Sequence, residues 1–141
     1  MRVTVRRPPW GILVVIALVL FQTWSGLHDA RGVYDDTTVA HRGAVALAIC
    51  QMTTAFIGMP LAYVLWQRAR RYANLIVAWG GVLTLQGTIA ASLYSPAEAR
   101  WASGAAAFGS VLIVVGPIAY FTRRWMRAAP ADAPHTPAAA A

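Results

Sequence analysis

The sequence predicts an all-α membrane protein, a bundle of four transmembrane helices with both ends of the chain in the cytoplasm. The chain is 58% hydrophobic and only 12% charged. Its apolar residues fall in four long runs, and its arginines are grouped at the ends of those runs. A soluble domain averages about 25% charged residues. Halving that fraction while raising the apolar content is typical of a chain whose solvent is lipid.

Four segments pass the length test for crossing a bilayer, which needs about 17–25 predominantly apolar residues. They cover residues 10–27, 43–66, 73–94 and 102–121, and none contains Asp, Glu, Lys, Arg or His. Helices are expected because backbone groups in hydrocarbon must be paired within their own segment, and the alternation of a barrel strand is missing. Residues 1–127 therefore form one helical domain, and the Ala- and Pro-rich tail 128–141 is predicted to be disordered in the cytoplasm.

The arginines predict the orientation of the four helices. Nine arginines fall on one side of the runs: Arg2, Arg6, Arg7, Arg68, Arg70, Arg71, Arg123, Arg124 and Arg127. Three fall on the other side: Arg31, Arg42 and Arg100. Cytoplasmic loops carry the excess of basic residues. The side with nine arginines is therefore predicted to face the cytoplasm, and the helices are predicted to cross the inner membrane of a bacterium. The net charge of +7 does not indicate a nucleic-acid partner, because no basic face of a soluble fold exists to present it.

The outer loop after the first helix holds the densest group of ionisable residues. These are His28, Asp29, Asp35, Asp36 and His41. Histidines and carboxylates are metal ligands, and two histidines on adjacent helices could hold a haem iron. The spacing matches no zinc pattern, however, and acidic residues before a helix are typical of N-terminal capping. We expect a solvated capping loop with no metal or cofactor, with metal and haem binding as the open alternatives.

Small residues recur at spacings of three and four on the last three helices, a pattern that lets membrane helices approach closely. The stripes run through Ala44, Ala48, Gln51, Ala55, Gly58 and Ala62, through Val77, Gly80, Thr84, Gly87 and Ala91, and through Ala102, Ala106, Gly109, Ile113 and Gly116. Packing within the bundle is the first interpretation, and an interface between copies is the second. The first helix has few small residues, so we expect it to be the most lipid-exposed helix or the one that meets a partner.

Four polar residues are predicted to form a layer in the outer half of the bundle: Gln22, Gln51, Gln86 and Ser110. At 1.5 Å per residue each glutamine lies roughly 7–12 Å below the outer surface, and the serine just deeper. An amide without a partner in hydrocarbon is costly, so these groups should point inward. The layer either packs the bundle or forms a shallow site for a small polar solute or lipid headgroup.

Two prolines and one tryptophan interrupt the regular pattern of the spans. Pro60 and Pro117 each remove a helical hydrogen bond, so a kink is predicted at both. Trp79 lies about 9–10 Å into the third helix, away from the interfaces that tryptophan prefers. It is interpreted as simple packing, with the wall of a ligand pocket as the alternative.

The function predicted from these observations rests mainly on what the spans lack. They carry no charge, which argues against a pump or a proton-coupled transporter, and no His or acid that could activate Ser or Cys, which argues against catalysis. We expect a non-enzymatic accessory or scaffolding subunit of a larger membrane assembly. Its partners would be the lipid bilayer and other membrane subunits or further copies of itself. An oligomeric permease or channel for a small neutral solute is the alternative, followed by a redox protein with a cofactor at the outer histidines.

Overall fold

The computed structural model of the chain is all-helical and describes residues 9–35 and 41–128. It contains α1 (Trp10–Asp35), α2 (His41–Gln67), α3 (Leu75–Leu93) and α4 (Arg100–Arg127), with short 3-10 turns at Arg70–Tyr72 and Ala97–Ala99. All four helices are long and apolar enough to cross a membrane. The prediction of an all-α chain with four such helices is therefore confirmed.

Two helices extend further than their apolar runs. α1 continues to Asp35 rather than stopping at residue 27, and α4 continues to Arg127 rather than stopping at residue 121. Hydropathy indicates where a segment would leave the hydrocarbon core of a membrane. A helix can continue past that point because it is held by backbone hydrogen bonds. His28 and Asp29 consequently lie on α1 and not in a loop.

Each helix packs along the next one in the chain, α1 on α2, α2 on α3, and α3 on α4. α1 and α4 pack on each other much less, and a groove separates them. We call the end of the bundle with the α2–α3 turn and the last turn of α4 the basic end, and the other the opposite end. The main core cluster includes the fully buried Leu61, Leu65, Ile76 and Met126, which fill the half of the bundle nearer the basic end.

The turn at the basic end depends on Arg68, which ends α2 in the left-handed region with a φ of 51°. A non-glycine residue there costs roughly 1–2 kcal/mol. The cost is offset because the Arg68 Nε and Nη2 atoms donate to the main-chain oxygen of Trp125 at 3.3 and 3.1 Å. The guanidinium carbon also lies 4.7 Å from the centroid of the Trp125 ring. Arg68 therefore both turns the chain and ties α2 to α4.

A second polar contact joins α3 and α4 at the same end. The Asn74 side-chain oxygen accepts hydrogen bonds from Arg123 Nε at 3.0 Å and from Arg127 Nη2 at 3.3 Å. Several of the arginines that predict the orientation of the chain thus also hold the helix ends together. Pro60 and Pro117 lie inside α2 and α4, which run through them unbroken; the kinks stay predictions.

Gly58 marks the closest approach between α1, α2 and α3. A Cβ atom at this position would collide with the Thr23 hydroxyl of α1 and would lie 3.6 Å from Nε1 of Trp79 on α3. The Thr23 hydroxyl cannot move away freely because it donates to the Val19 carbonyl at 2.8 Å. Only glycine fits at position 58, and its lack of a side chain lets the three helices meet.

We expect Gly58→Ala to lower the free energy of unfolding by about 1–3 kcal/mol, the usual cost of overfilling a packed site. Gly81→Ala on α3 is the matched control, because nothing lies within 4 Å of a Cβ there. Alanine is favoured over glycine by about 1 kcal/mol in a helix, so the control should be neutral or stabilising. Reversible unfolding in mixed micelles measures both, and equal stabilities for the two variants would contradict the packing at Gly58.

Candidate functional site

The predicted polar layer is only partly brought together. Gln51 is buried on α2, with 7% of its surface exposed. Gln22 on α1 and Gln86 on α3 are half-buried. Ser110 does not point inward as expected, because it lies on the exposed face of α4. α4 packs on α3 through a different face, which includes Gly104, Val111, Val115 and Ala119.

One glutamine of the layer has a partner on a neighbouring helix. Thr54 Oγ1 of α2 lies 3.0 Å from the side-chain oxygen of Gln86 and 2.8 Å from the Cys50 carbonyl. A hydroxyl has one hydrogen to donate and can accept others. All three groups are satisfied when the Thr54 hydroxyl donates to the Cys50 carbonyl and accepts a hydrogen bond from the Gln86 side chain. This arrangement requires the Gln86 amide to be flipped, so that its N–H group faces Thr54. This contact links α2 to α3.

Sequence reasoning missed Thr23 and Thr54 as interior residues and named Thr84 only as part of a small-residue stripe. Thr23, Thr54 and Thr84 are all buried, and each donates to the carbonyl four residues before it at 2.8 Å. A threonine satisfied within its own helix adds little polarity to the interior. The available signal was the small-residue stripe, since Thr84 lies on the stripe of the third helix.

Two buried polar atoms have no hydrogen-bond partner within the described part of the chain, namely Gln51 Oε1 and Trp79 Nε1. The Trp79 ring both packs in the core, at 5% exposure, and lines a groove. Packing of Trp79 is therefore observed, whereas a ligand in the groove stays a prediction. Its N–H lies beside Gly58, in the contact between α2 and α3.

The described part of the chain has apolar grooves on its surface, among them one between α1 and α4 and one between α1 and α2. The α1–α4 groove has a volume of about 250 Å³ and is lined by Phe21 and Gln22 of α1, Trp79 of α3 and Val114 of α4, among others. The α1–α2 groove is larger, about 510 Å³, and lies toward the opposite end between Ala30 of α1 and Ala48 of α2. Sites for small molecules typically measure about 300–1,000 Å³.

Two ionisable residues of the opposite end, His28 and Asp29, form a small surface cluster with Ser25 on α1. Ser25 donates to Asp29 Oδ2 at 2.9 Å, and His28 Nδ1 lies 3.1 Å from Asp29 Oδ1. Within residues 9–35 and 41–128, no three His, Cys, Asp or Glu side chains come together in a way that could hold a metal ion. Asp36 and the side chains of Asp35 and His41 lie outside the described residues, so capping and the two-histidine site stay predictions.

The small-residue stripe of α4 faces outward. Ala102, Ala106 and Ile113 are exposed, and nothing lies within 4 Å of a Cβ built on Gly109 or Gly116. On α3, in contrast, a Cβ on Gly80 would meet Val115 at 2.7 Å and one on Gly87 would meet Val111 at 3.1 Å. The small-residue stripes of α2 and α3 make contacts within the bundle, whereas the stripe of α4 does not.

α4 is also the least buried helix, which corrects the expectation that α1 is the most exposed. The alternative, that α1 meets a partner, stays a prediction. In an apolar stretch of 18 residues within each helix, only 11% of the α4 residues are buried, compared with 28% of the α1 residues. The bulky aliphatic residues of α1, such as Val15 and Val19, reach into the core, whereas α4 lies at the edge and packs mainly on α3.

No protein-family model, curated protein or solved structure matches the chain. Function is therefore inferred from the arrangement of the helices. In the described part of the chain, the buried polar side chains apart from the Cys50 thiol and the Trp79 ring nitrogen are threonine or glutamine. Such groups bind and orient, but they supply no general acid or base near neutral pH.

The surroundings of the buried Gln51 and the half-buried Gln86 predict opposite effects of substitution. Gln51→Met removes an amide oxygen without a partner, so the free energy of unfolding should stay the same or rise by up to about 1 kcal/mol. Gln86→Met removes the bond to Thr54 and should cost about 0.6 kcal/mol, a typical value for interhelical pairs in membranes. That cost should vanish in a Thr54→Val background. A Gln51→Met variant less stable than Gln86→Met would show that the Gln51 amide has a partner.

Proposed function

We propose that the protein is a multi-pass component of a bacterial cytoplasmic membrane that acts as an accessory or scaffolding subunit and binds another membrane protein through α4. The observation that carries this proposal is the outward face of α4. Its small residues Ala102, Ala106, Gly109 and Gly116 are exposed or open to space. We call this the α4 face.

The physical reason lies in how helices associate in lipid. Lipid tails are as apolar as leucine, so association is driven by close packing and not by removal of apolar surface from water. Small residues serve that purpose because they let backbones approach. Contact with lipid alone makes no such demand, and the α4 face makes no close contact within the described chain. A second helix that packs against Gly109 and Gly116 gives these residues a role.

The orientation proposed for the protein places the basic end in the cytoplasm. Support comes from the gathering of Arg68, Arg123, Arg124 and Arg127 at that end of the bundle, close to the α2–α3 turn. The opposite end carries Asp29 and Glu98 with fewer arginines. A positive excess on one side of short loops is the strongest predictor of the cytoplasmic side.

The alternative, an oligomeric permease or channel for a small neutral solute, has one specific feature in its favour. The α1–α4 groove combines an apolar wall with the Gln22 amide. Against a path through the single bundle, the side chains of Leu61, Leu65, Ile76 and Met126 fill the core toward the basic end. A conducting path would have to lie between copies, so this alternative also requires association first.

The test is co-purification from native membranes in mild detergent with a matched pair of double variants. Ala106→Leu/Gly109→Leu fills the α4 face and should reduce the recovered partner, or the self-associated form, roughly tenfold, because overfilling a close contact costs about 1–3 kcal/mol. Gly11→Leu/Ala17→Leu makes the same changes at exposed positions of α1 and should leave recovery unchanged. Equal recovery from both variants and the unmodified protein would overturn the proposal.

A further inference from the structure

The register of α1 against α2 carries Asp29 to hydrocarbon depth in the proposed membrane position. A Cβ atom built on Gly26 of α1 would lie 3.0 Å from the main-chain oxygen of Gln51 on α2. Gln51 lies eight residues beyond Gly43, which packs against Leu93 at the level where α2 begins and α3 ends. Eight residues at 1.5 Å each place Gly26 about 12 Å inward from that level. Half of a hydrocarbon core about 30 Å thick is about 15 Å.

The Asp29 carboxylate is held at the depth of Gly26 by the neighbouring Ser25. The Ser25 hydroxyl donates to Asp29 Oδ2 at 2.9 Å, and His28 Nδ1 lies 3.1 Å from Asp29 Oδ1. The Asp29 side chain nevertheless stays 51% exposed. Ionisable side chains at such a depth are rare, and they almost always face protein or a water-filled cavity and mark a pathway or binding site. The exposed carboxylate therefore indicates a site on this side of α1.

Asp29 lies on the side of α1 that borders the α1–α4 groove. Leu18 and Gln22 line that groove. Ser25 and Asp29 continue the same series at spacings of three and four residues, which places all four on one face of the helix. The nearest arginine along α1, Arg31, is two residues further, about 160° around the helix axis, and it lines the α1–α2 groove instead. The α1 wall of the α1–α4 groove thus ends in a negative charge.

The α1–α4 groove has the size and the walls for a small amphiphilic molecule. Its volume of about 250 Å³ is below the usual range of about 300–1,000 Å³ for drug-sized ligands, and a helix, about 10–12 Å across with its side chains, is too wide for it. The rings of Phe21 and Trp79 line the groove, and aromatic rings attract organic cations. Ser110 of α4, four residues from the groove-lining Val114 and on the same side of that helix, adds a hydroxyl toward the opposite end.

We propose that the α1–α4 groove binds a small organic cation, an amine or a quaternary ammonium compound, with its positive charge at Asp29 and its apolar body against Phe21 and Trp79. The carboxylate selects the occupant. It would repel an anion, and a neutral solute would leave it without a counter-charge at a depth where an unpaired charge is costly. The proposal rests on the membrane crossings of the proposed function, but it does not require the α4 face to be occupied.

Isothermal titration calorimetry of the full chain in phosphatidylcholine nanodiscs tests the proposal, with benzyltrimethylammonium as the probe. At about pH 8 an ordinary histidine is neutral, so the charge of the site comes from Asp29. The unmodified protein should bind the probe with a Kd of about 1 mM or lower, and phenylacetate, an anion of similar size, at least about tenfold more weakly. Asp29→Asn should weaken binding of the cation at least about tenfold, because a charge pair away from bulk water is lost.

Two controls separate the charge of Asp29 from other effects of substitution. Glu98→Gln removes an exposed acid at the same end but outside the groove, and it should change the affinity less than about twofold. Asp29→Glu keeps the charge and should stay within about fivefold of the unmodified protein, which shows that the loss in Asp29→Asn is not a loss of the fold.

A second pair of variants tests the groove apart from the charge. Leu18 and Leu20 are 47% and 50% exposed on α1, and only Leu18 lines the groove. Leu18→Phe should weaken binding of the cation roughly tenfold by narrowing the groove, whereas Leu20→Phe should leave it unchanged. No binding of the cation, equal affinity for phenylacetate, or equal losses in either variant and its control would overturn the proposal. Loss of the α4 partner with cation binding intact would contradict only the proposed function.

Discussion

Close contact at glycine positions is the interaction on which the bundle depends. At Gly58 three helices meet around a position where no side chain fits, and at Gly80 and Gly87 α3 receives Val115 and Val111 of α4. In lipid, burial of apolar surface gives little net drive toward association, so contacts of this kind supply much of the attraction. Polar contacts such as that between Thr54 and Gln86 then fix the register of helices already in contact.

The same constraint explains why α4 stands out. A helix at the edge of a bundle of four needs one close-packed face, and α4 uses Gly104 and the valines that follow for its contact with α3. The face with Ala106, Gly109 and Gly116 is left over. Its small residues resemble those of the packed stripes of α2 and α3, and Ile113, 75% exposed, is the large side chain on the same stripe.

The sequence was sufficient for the number of helices and their apolar spans, because hydropathy and length decide both. It could not fix the helix ends, since α1 continues through Asp29 to Asp35 by backbone hydrogen bonding after the apolar run has stopped. It also could not decide which stripe faces inward. In a helix that is apolar on every side, periodicity identifies a face but does not say whether it points inward. For this reason the sequence favours the interior for Ser110 and for the α4 stripe, with an interface between copies as the second interpretation of the stripe.

The proposed function requires four membrane crossings with the basic end in the cytoplasm. Single cysteines at the exposed positions Ala97 and Ala128, each in a Cys50→Ala background, test this directly with a membrane-impermeant maleimide on intact spheroplasts. The account predicts that the cysteine at 97 reacts at once and that the cysteine at 128 reacts only after the membrane is opened. Immediate labelling at 128, or protection at 97, would contradict it.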